Sequence, residues 1–245
     1  MLEGLYAAAA GMSAQEQQLN TVANNLANLS TDGYHAERVA FSDLLYNEVD
    51  QAGSDTTTGA GATARALGDS AQPGALRQTG RPLDLAIAGE GYFELKRPDG
   101  QLALTRDGSF TLNSKRQLTS AGGALLNPPI TVPAGVAESD VTIGADGTVR
   151  AGTKKLGTIS LVDVAAPDKL LAVGEGTFAT TPASGPARAA SGARLTQGAL
   201  EGSDVEMASE MATMESAQRG YQMNSTAIQI EGQMMSIANQ LVTQS

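Results

Sequence analysis

The chain has no cysteine, no tryptophan and a single histidine among its 245 residues. Without thiols there is no disulfide framework and no thiolate chemistry. One histidine leaves no material for a zinc site or for a Ser-His-Asp or Cys-His nucleophile. That residue, His35, is expected in an exposed loop. Aromatic residues make up 4% of the chain, few for filling one large compact core. No apolar run approaches the ~20 residues that a membrane-spanning helix needs. The opening Met1-Leu2-Glu3-Gly4 lacks the basic and apolar regions of a cleavable secretory signal. Bases are scarce at both ends: residues 1–50 carry seven acids and one base, and residues 201–245 six acids and one base, within a net charge of −10. This balance argues against nucleic acid as a partner. The acidic ends read either as solvated helix faces or as charge that steers association. Gly89-Glu90-Gly91 and Gly59-Ala60-Gly61 lack the strand-to-helix context of a nucleotide loop, so no cofactor is implied.

What the chain does have is apolar repetition at its ends. Leu5, Met12, Leu19 and Leu26 recur every seven residues, with Val22 and Leu29 three further on. Seven-residue spacing keeps side chains on one seam of an α-helix. Ser30-Thr31-Asp32-Gly33 then supplies a stop, with Gly33 suited to a left-handed cap. The C-terminal segment repeats the device twice: Met207, Met214, Tyr221, Ile228, Met235 and Val242 form one row, and Met223, Ala227, Ile230, Met234, Ile237 and Leu241 a second. Ser203-Asp204-Val205-Glu206 has the spacing of a capping box at its start. Gly220 and Gly232 inside this helix would let another helix approach closely. One antiparallel partner cannot cover both rows, so these side chains are the expected self-association surface of an assembling structural protein, with no catalytic, metal or cofactor site.

Between the ends the pattern changes to short alternating runs divided by turn signals. Arg97-Pro98-Asp99-Gly100 suits a type I turn, and Asp107-Gly108 and Asp146-Gly147 mark others. Turn chemistry accounts for these aspartates better than carboxylate catalysis does. The expected fold class is α+β: N- and C-terminal helices paired as a coiled-coil stalk, with a central all-β module of short antiparallel strands. The expected segments are 1–50, an N-terminal helix and following turn; 51–81, a Gly/Thr-rich extended arm; 82–173, the β module; 174–202, a loop-rich connection; and 203–245, the heptad helix. The apolar cluster Phe41, Leu44, Leu45 and Tyr46 is expected to add a helical turn or two. Arg106 and Arg219 have acids to pair with, either within the chain or across a subunit contact.

Three strings carry a resemblance. Ala23–Tyr34 (ANNLANLSTDGY) with Phe41–Tyr46 (FSDLLY), the central LDLAIAGEGYFELKRPDGQLALTRDGSFTLNSKRQL, and the terminal LEGSDVEMASEMATMESAQRGYQMNSTAIQ stand in order over nearly the whole chain. Together they resemble the bacterial flagellar rod and hook protein family, and within it look most like the distal-rod subunit. The matching motif positions are Asn24, Asn25, Leu26, Asn28, Gly33, Tyr34, Gln218, Arg219, Tyr221, Asn224 and Ser225. The resemblance implies many copies in a tube, terminal helices around an export channel and β domains outward. It implies a torque-bearing shaft in the basal body, or as the alternative a proximal-rod or hook-type subunit or a docking module for periplasmic partners. The implied partners are copies of the same chain, the proximal rod and hook proteins, the surrounding rings and the flagellar type III export apparatus. Export would proceed without a cleaved signal, to a place outside the cytoplasm.

Overall fold

A computed structural model describes residues 2–43, 47–48, 57–58, 61–190 and 192–243. The chain is α+β and divides into two compact units. The helical unit holds residues 1–27, 37–67 and 206–245, and the β unit residues 28–36 and 68–205.

In the helical unit, α1 (Leu2–Ala27) and α2 (Met207–Thr243) pack together. At 1.5 Å per residue α2 is roughly 55 Å long. The two run antiparallel, as the pairs across the seam show: Gly4 lies against Glu231, Gly11 against Asn224, Gln15 against Gly220, and Asn25 against Glu210. Small residues set the approach. A Cβ added to Gly11 would stand 2.7 Å from Asn224 Nδ2, and one added to Gly220 would stand 2.9 Å from Gln15 Nε2. Gly232 faces open space, so of the two helical glycines singled out in the sequence only Gly220 serves the seam.

Several elements differ from the sequence reading. Phe41 belongs to the strand Glu37–Asp43, not to a helical turn; Leu44, Leu45 and Tyr46 lie outside the described residues. That strand pairs with Ala62–Asp69. Residues 62–69 belong to the Gly/Thr-rich arm, expected to be ordered only where another surface holds it, and here that surface is the strand Glu37–Asp43. Composition is silent here because a Gly/Ala/Thr-rich backbone makes ladder hydrogen bonds without burying large side chains. The capping box is also not formed. Ser203 Oγ accepts from Val205 N–H at 3.2 Å and Asp204 Oδ1 accepts from Ala36 N–H at 2.6 Å, and α2 starts at Met207. A tertiary contact has taken Asp204 and a local turn has taken Ser203.

The β unit is built from antiparallel ladders. The strands Tyr92–Lys96 and Leu102–Thr105 form a hairpin in the register Phe93↔Thr105 to Lys96↔Leu102. Its turn closes as the sequence predicts: Gly100 N–H donates to Arg97 O at 2.9 Å, with Gly100 at φ +86°. The other edge of Tyr92–Lys96 is shared by Leu125–Leu126 and Leu161–Asp163. This central strand is buried on both faces. Phe93 and Leu95 enter a large cluster with Leu85, Phe110, Leu126, Ile130 and Val149, in which Phe93 and Phe110 meet edge to face at 5.2 Å. Tyr92 packs from the opposite face with Leu104, Val164 and Phe178. A three-stranded meander, Val141–Ile143, Thr148–Ala151 and Lys154–Thr158, covers one side of the main cluster.

The stretch read as a loop-rich connection supplies further strands. Arg194–Gln197 pairs with Leu85–Ala88, and Ala199–Glu201 pairs with Leu76–Gln78. These partners are more than a hundred residues apart, so neither short run announces its pairing locally.

Candidate assembly surface

On α2 the two apolar rows separate. Met214, Ile228 and Met235 are half-buried, on the face that carries Ala217, Asn224 and Glu231 toward α1. Met207 is exposed at the helix start and Tyr221 lies at the rim of the seam; the side chain of Val242 lies outside the described residues. In the second row Met223 is 68% exposed, and Ile230, Met234, Ile237 and Leu241 are likewise exposed, with Ala227 among them. At 100° per residue this row is about 120° around the helix from the seam. From Gln222 onward the remaining third of the surface carries Gln222, Thr226, Gln229, Gln233, Ser236 and Gln240, all polar and none charged, while nearer the helix start the same third carries the exposed Met211 and Glu215. So beyond Tyr221 α2 has one face on α1, one apolar face open to solvent and one neutral polar face.

On α1 the seam is made by residues other than the leucine heptad. Ala14, Thr21, Val22 and Asn25 are buried, and with Gly4, Gly11 and Gln15 they make the packed face. Leu5, Met12, Leu19 and Leu26 flank that face and remain half-exposed. Small and polar residues fit the close approach, while the leucine row is left at the edge. Among the described residues no helix is long and apolar enough to cross a membrane.

The motif residues near the helix ends do structural work. Asn25 is 1% exposed and clasps the backbone of Glu37: Nδ2 donates to Glu37 O at 3.0 Å and Oδ1 accepts from Glu37 N–H at 2.9 Å. Asn25 Nδ2 also reaches Glu210 Oε1 at 3.2 Å, joining α1, the following strand and α2. Asn24 is exposed, Leu26 half-exposed, and Asn28 closes the turn after α1 by accepting from Thr31. Gly33 has φ +69°, and a Cβ there would stand 2.6 Å from Asp107 N. No other residue fits that position without moving the backbone. Tyr34 O accepts from Asp204 N–H at 3.3 Å. On α2, Gln218 and Arg219 are exposed, with Arg219 paired to Glu215 one turn back, and Ser225 is half-buried.

The β unit corrects one further expectation and decides between the alternatives open for Arg106. His35 is buried, not exposed. Its Nδ1 donates to Ser70 O at 2.7 Å, and its Nε2 stands 3.6 Å from Glu201 Oε1. Arg106, considered for a subunit contact, is also buried; its Nη1 donates to Glu201 Oε2 at 3.0 Å, its Nη2 to Gly89 O at 3.0 Å, and its guanidinium lies 5.5 Å from the ring centre of Tyr92. Asp99, Asp107 and Asp146 each accept from backbone N–H groups two residues on, as turn residues do. The Thr148 hydroxyl and amide hold the Asp146 carboxyl below its ordinary range.

Comparison with known proteins agrees with this architecture. Residues 5–35 match the flagella basal body rod protein family, residues 86–151 the flagellar hook protein FlgE/F/G D1 domain, and residues 196–241 the flagellar basal body rod FlgEFG protein C-terminal family. The flagellar basal-body rod protein FlgG of Borreliella burgdorferi is 36% identical to this chain over the full length of both. The FlgG of Caulobacter vibrioides is 34% identical over 98% of this chain and 99% of its own. The chain belongs to the flagellar basal-body rod protein family. The FlgG of Bacillus subtilis, 34% identical over 93% of this chain and 94% of its own, extends the likeness to a further bacterium. The family matches fall on α1 with its turn, the β unit and α2, so all three parts of the fold are family features.

Proposed function

We propose that this chain is a structural subunit of the distal rod of the flagellar basal body, one of many copies in a rigid tube that carries motor torque to the hook. The observation that supports this most is the solvent-facing apolar row Met223–Leu241 on a helix whose other apolar face is already occupied by α1. Burying each of these side chains contributes about 1.5–3 kcal/mol. Ile230, Met234, Ile237 and Leu241 together match the order of the association cost, about 4–15 kcal/mol. Neighbouring copies are the proposed cover, with the half-exposed Leu5, Met12, Leu19 and Leu26 at the edge of the same contact. A contact of this kind that does not close on itself builds a helical filament. The α1–α2 pair would supercoil as a stalk, and the neutral Gln/Ser/Thr face over Gln222–Gln240 suits the wall of a water-filled export channel.

In this reading the protein catalyses no reaction, leaves the cell through the flagellar type III apparatus, and works outside the cytoplasm against the proximal rod, the hook and the surrounding rings. The test is a pair of charged substitutions, Ile230→Asp and Met234→Asp, in the full-length chain. The subunit should fold with an unchanged circular dichroism spectrum and fail to polymerise, and cells carrying it should lack motility. Filaments of normal length from both variants would overturn the assignment of this face.

A further inference from the structure

We propose that His35, Glu201 and Arg106 form a protonation-dependent clamp that holds three segments of the β unit together and loosens as His35 loses its proton. Glu201 is the hub. Its backbone carbonyl accepts from Gly33 N–H at 2.7 Å, its Oε1 from Gly74 N–H at 2.9 Å, and its Oε2 from Arg106 Nη1 at 3.0 Å. His35 binds Ser70 O on the same side. One carboxylate thus fastens the segments around residues 33–35, 70–74 and 106 to the strand Ala199–Glu201. Three of these stretches adjoin Ala36, Gly68 and Val205, where the chain leaves the unit.

The geometry decides which proton matters. A carbonyl only accepts, so Nδ1 of His35 carries hydrogen in both charge states and the proton that leaves is the one on Nε2. Nε2 points at Glu201 Oε1, and the two side chains are 3% and 0% exposed. At 3.6 Å this is an ion contact, longer than a hydrogen bond. With Nε2 deprotonated, a nitrogen lone pair faces a carboxylate oxygen where no bulk water can intervene, which is unfavourable. The other charged or titratable groups around the cluster are Arg106, which opposes a second positive charge; Tyr92 beneath Arg106; Asp204, bound to Ala36 N–H; and Asp69 beside Ser70.

Titration directions agree with the geometry. Burial pushes His35 down, but the Glu201 carboxylate and the Ser70 carbonyl outweigh it and leave the imidazole above its ordinary 6.5. Burial pushes Glu201 up, but His35, Arg106 and the Gly74 amide outweigh it and leave the carboxyl below its ordinary 4.5. A raised histidine stabilises fully below 6.5 and loses that contribution as pH rises through its folded value. A depressed glutamate stabilises fully above 4.5 and loses that contribution as pH falls through its folded value. The clamp is therefore tightest between the two and opens on the alkaline side as His35 loses its proton.

Because His35 is the only histidine, its imidazole signal in the full-length chain is unambiguous by NMR. The experiment titrates that signal and follows exchange of the Gly74 amide in the wild type, in His35→Lys, which stays cationic, and in His35→Gln, which stays neutral. The His35 midpoint should lie above 6.5, and Gly74 exchange, taken relative to His35→Lys, should accelerate with the same midpoint. His35→Gln should exchange fast already at acid pH and show no such step. A midpoint at or below 6.5 would overturn the clamp, as would a step of less than about twofold in the wild-type ratio. Should His35→Lys fail to fold, the wild-type midpoint and the comparison with His35→Gln decide the matter.

Discussion

The two units solve the problem of burial in opposite ways. In the β unit, Phe93, Leu85, Phe110, Leu126 and Val149 are wholly enclosed, and even the charged group Glu201 is shut in with its partners. In the helical unit the most enclosed side chains of α1 are small or polar, Ala14, Thr21 and Asn25 beside Val22, while Met223, Ile230, Ile237 and Leu241 of α2 face water. One unit completes its core within a single chain; the other holds apolar surface in reserve. On the proposed role, this division would let a finished domain accompany helices that complete their packing among copies.

The contrast can be broken from either side, and the expected losses of subunit stability fall in order. Phe93→Ala removes a wholly buried ring and should cost the β unit about 3–5 kcal/mol, read by denaturant unfolding. Asn25→Ala leaves the Glu37 N–H and C=O without their side-chain partners; each buried group left unsatisfied costs about 1–3 kcal/mol, and the loss should appear as early melting of the helical signal. Gly11→Leu drives a side chain into Asn224 and should cost about 1–3 kcal/mol as overpacking, splaying the helices while the β unit's near-ultraviolet signal stays intact. Ile237→Asp should change subunit stability by no more than about 0.5 kcal/mol, since the site is open to solvent. Yet it should abolish polymerisation. A large stability loss from Ile237→Asp would mean that its face is covered within the single chain, and the contrast would fail.

Some of this could be read along the chain and some could not. The terminal helices, the type I turn at Pro98-Asp99 and the antiparallel hairpins around it were legible because each rests on local spacing or on residues a few positions apart. The assignment of seams was harder. The face that α1 turns to α2 leaves no row in the sequence, because close approach favours glycine and alanine, which leave weak hydrophobic signals. The capping box misled for a related reason: Asp204 and Ser203 are good helix caps, and equally good partners for backbone groups elsewhere. His35 shows the limit most clearly. A lone histidine after a glycine turn has the composition of a loop, and only a carboxylate 166 positions on, together with Arg106 and Ser70, gives it a buried setting.

By itself the sequence determined the division into helical ends and a β centre, the two apolar rows of α2 and the kinship with rod proteins, since periodicity and motif order are properties of neighbours along the chain. Only the tertiary structure decided which row meets α1 and which stays open, that Arg194–Gln197 and Ala199–Glu201 pair as strands in the β unit, and that Glu201 ties His35 to Arg106. Those outcomes depend on hydrogen bonds and ion contacts between residues far apart in sequence, where the energy of a partner that has yet to arrive leaves no local trace.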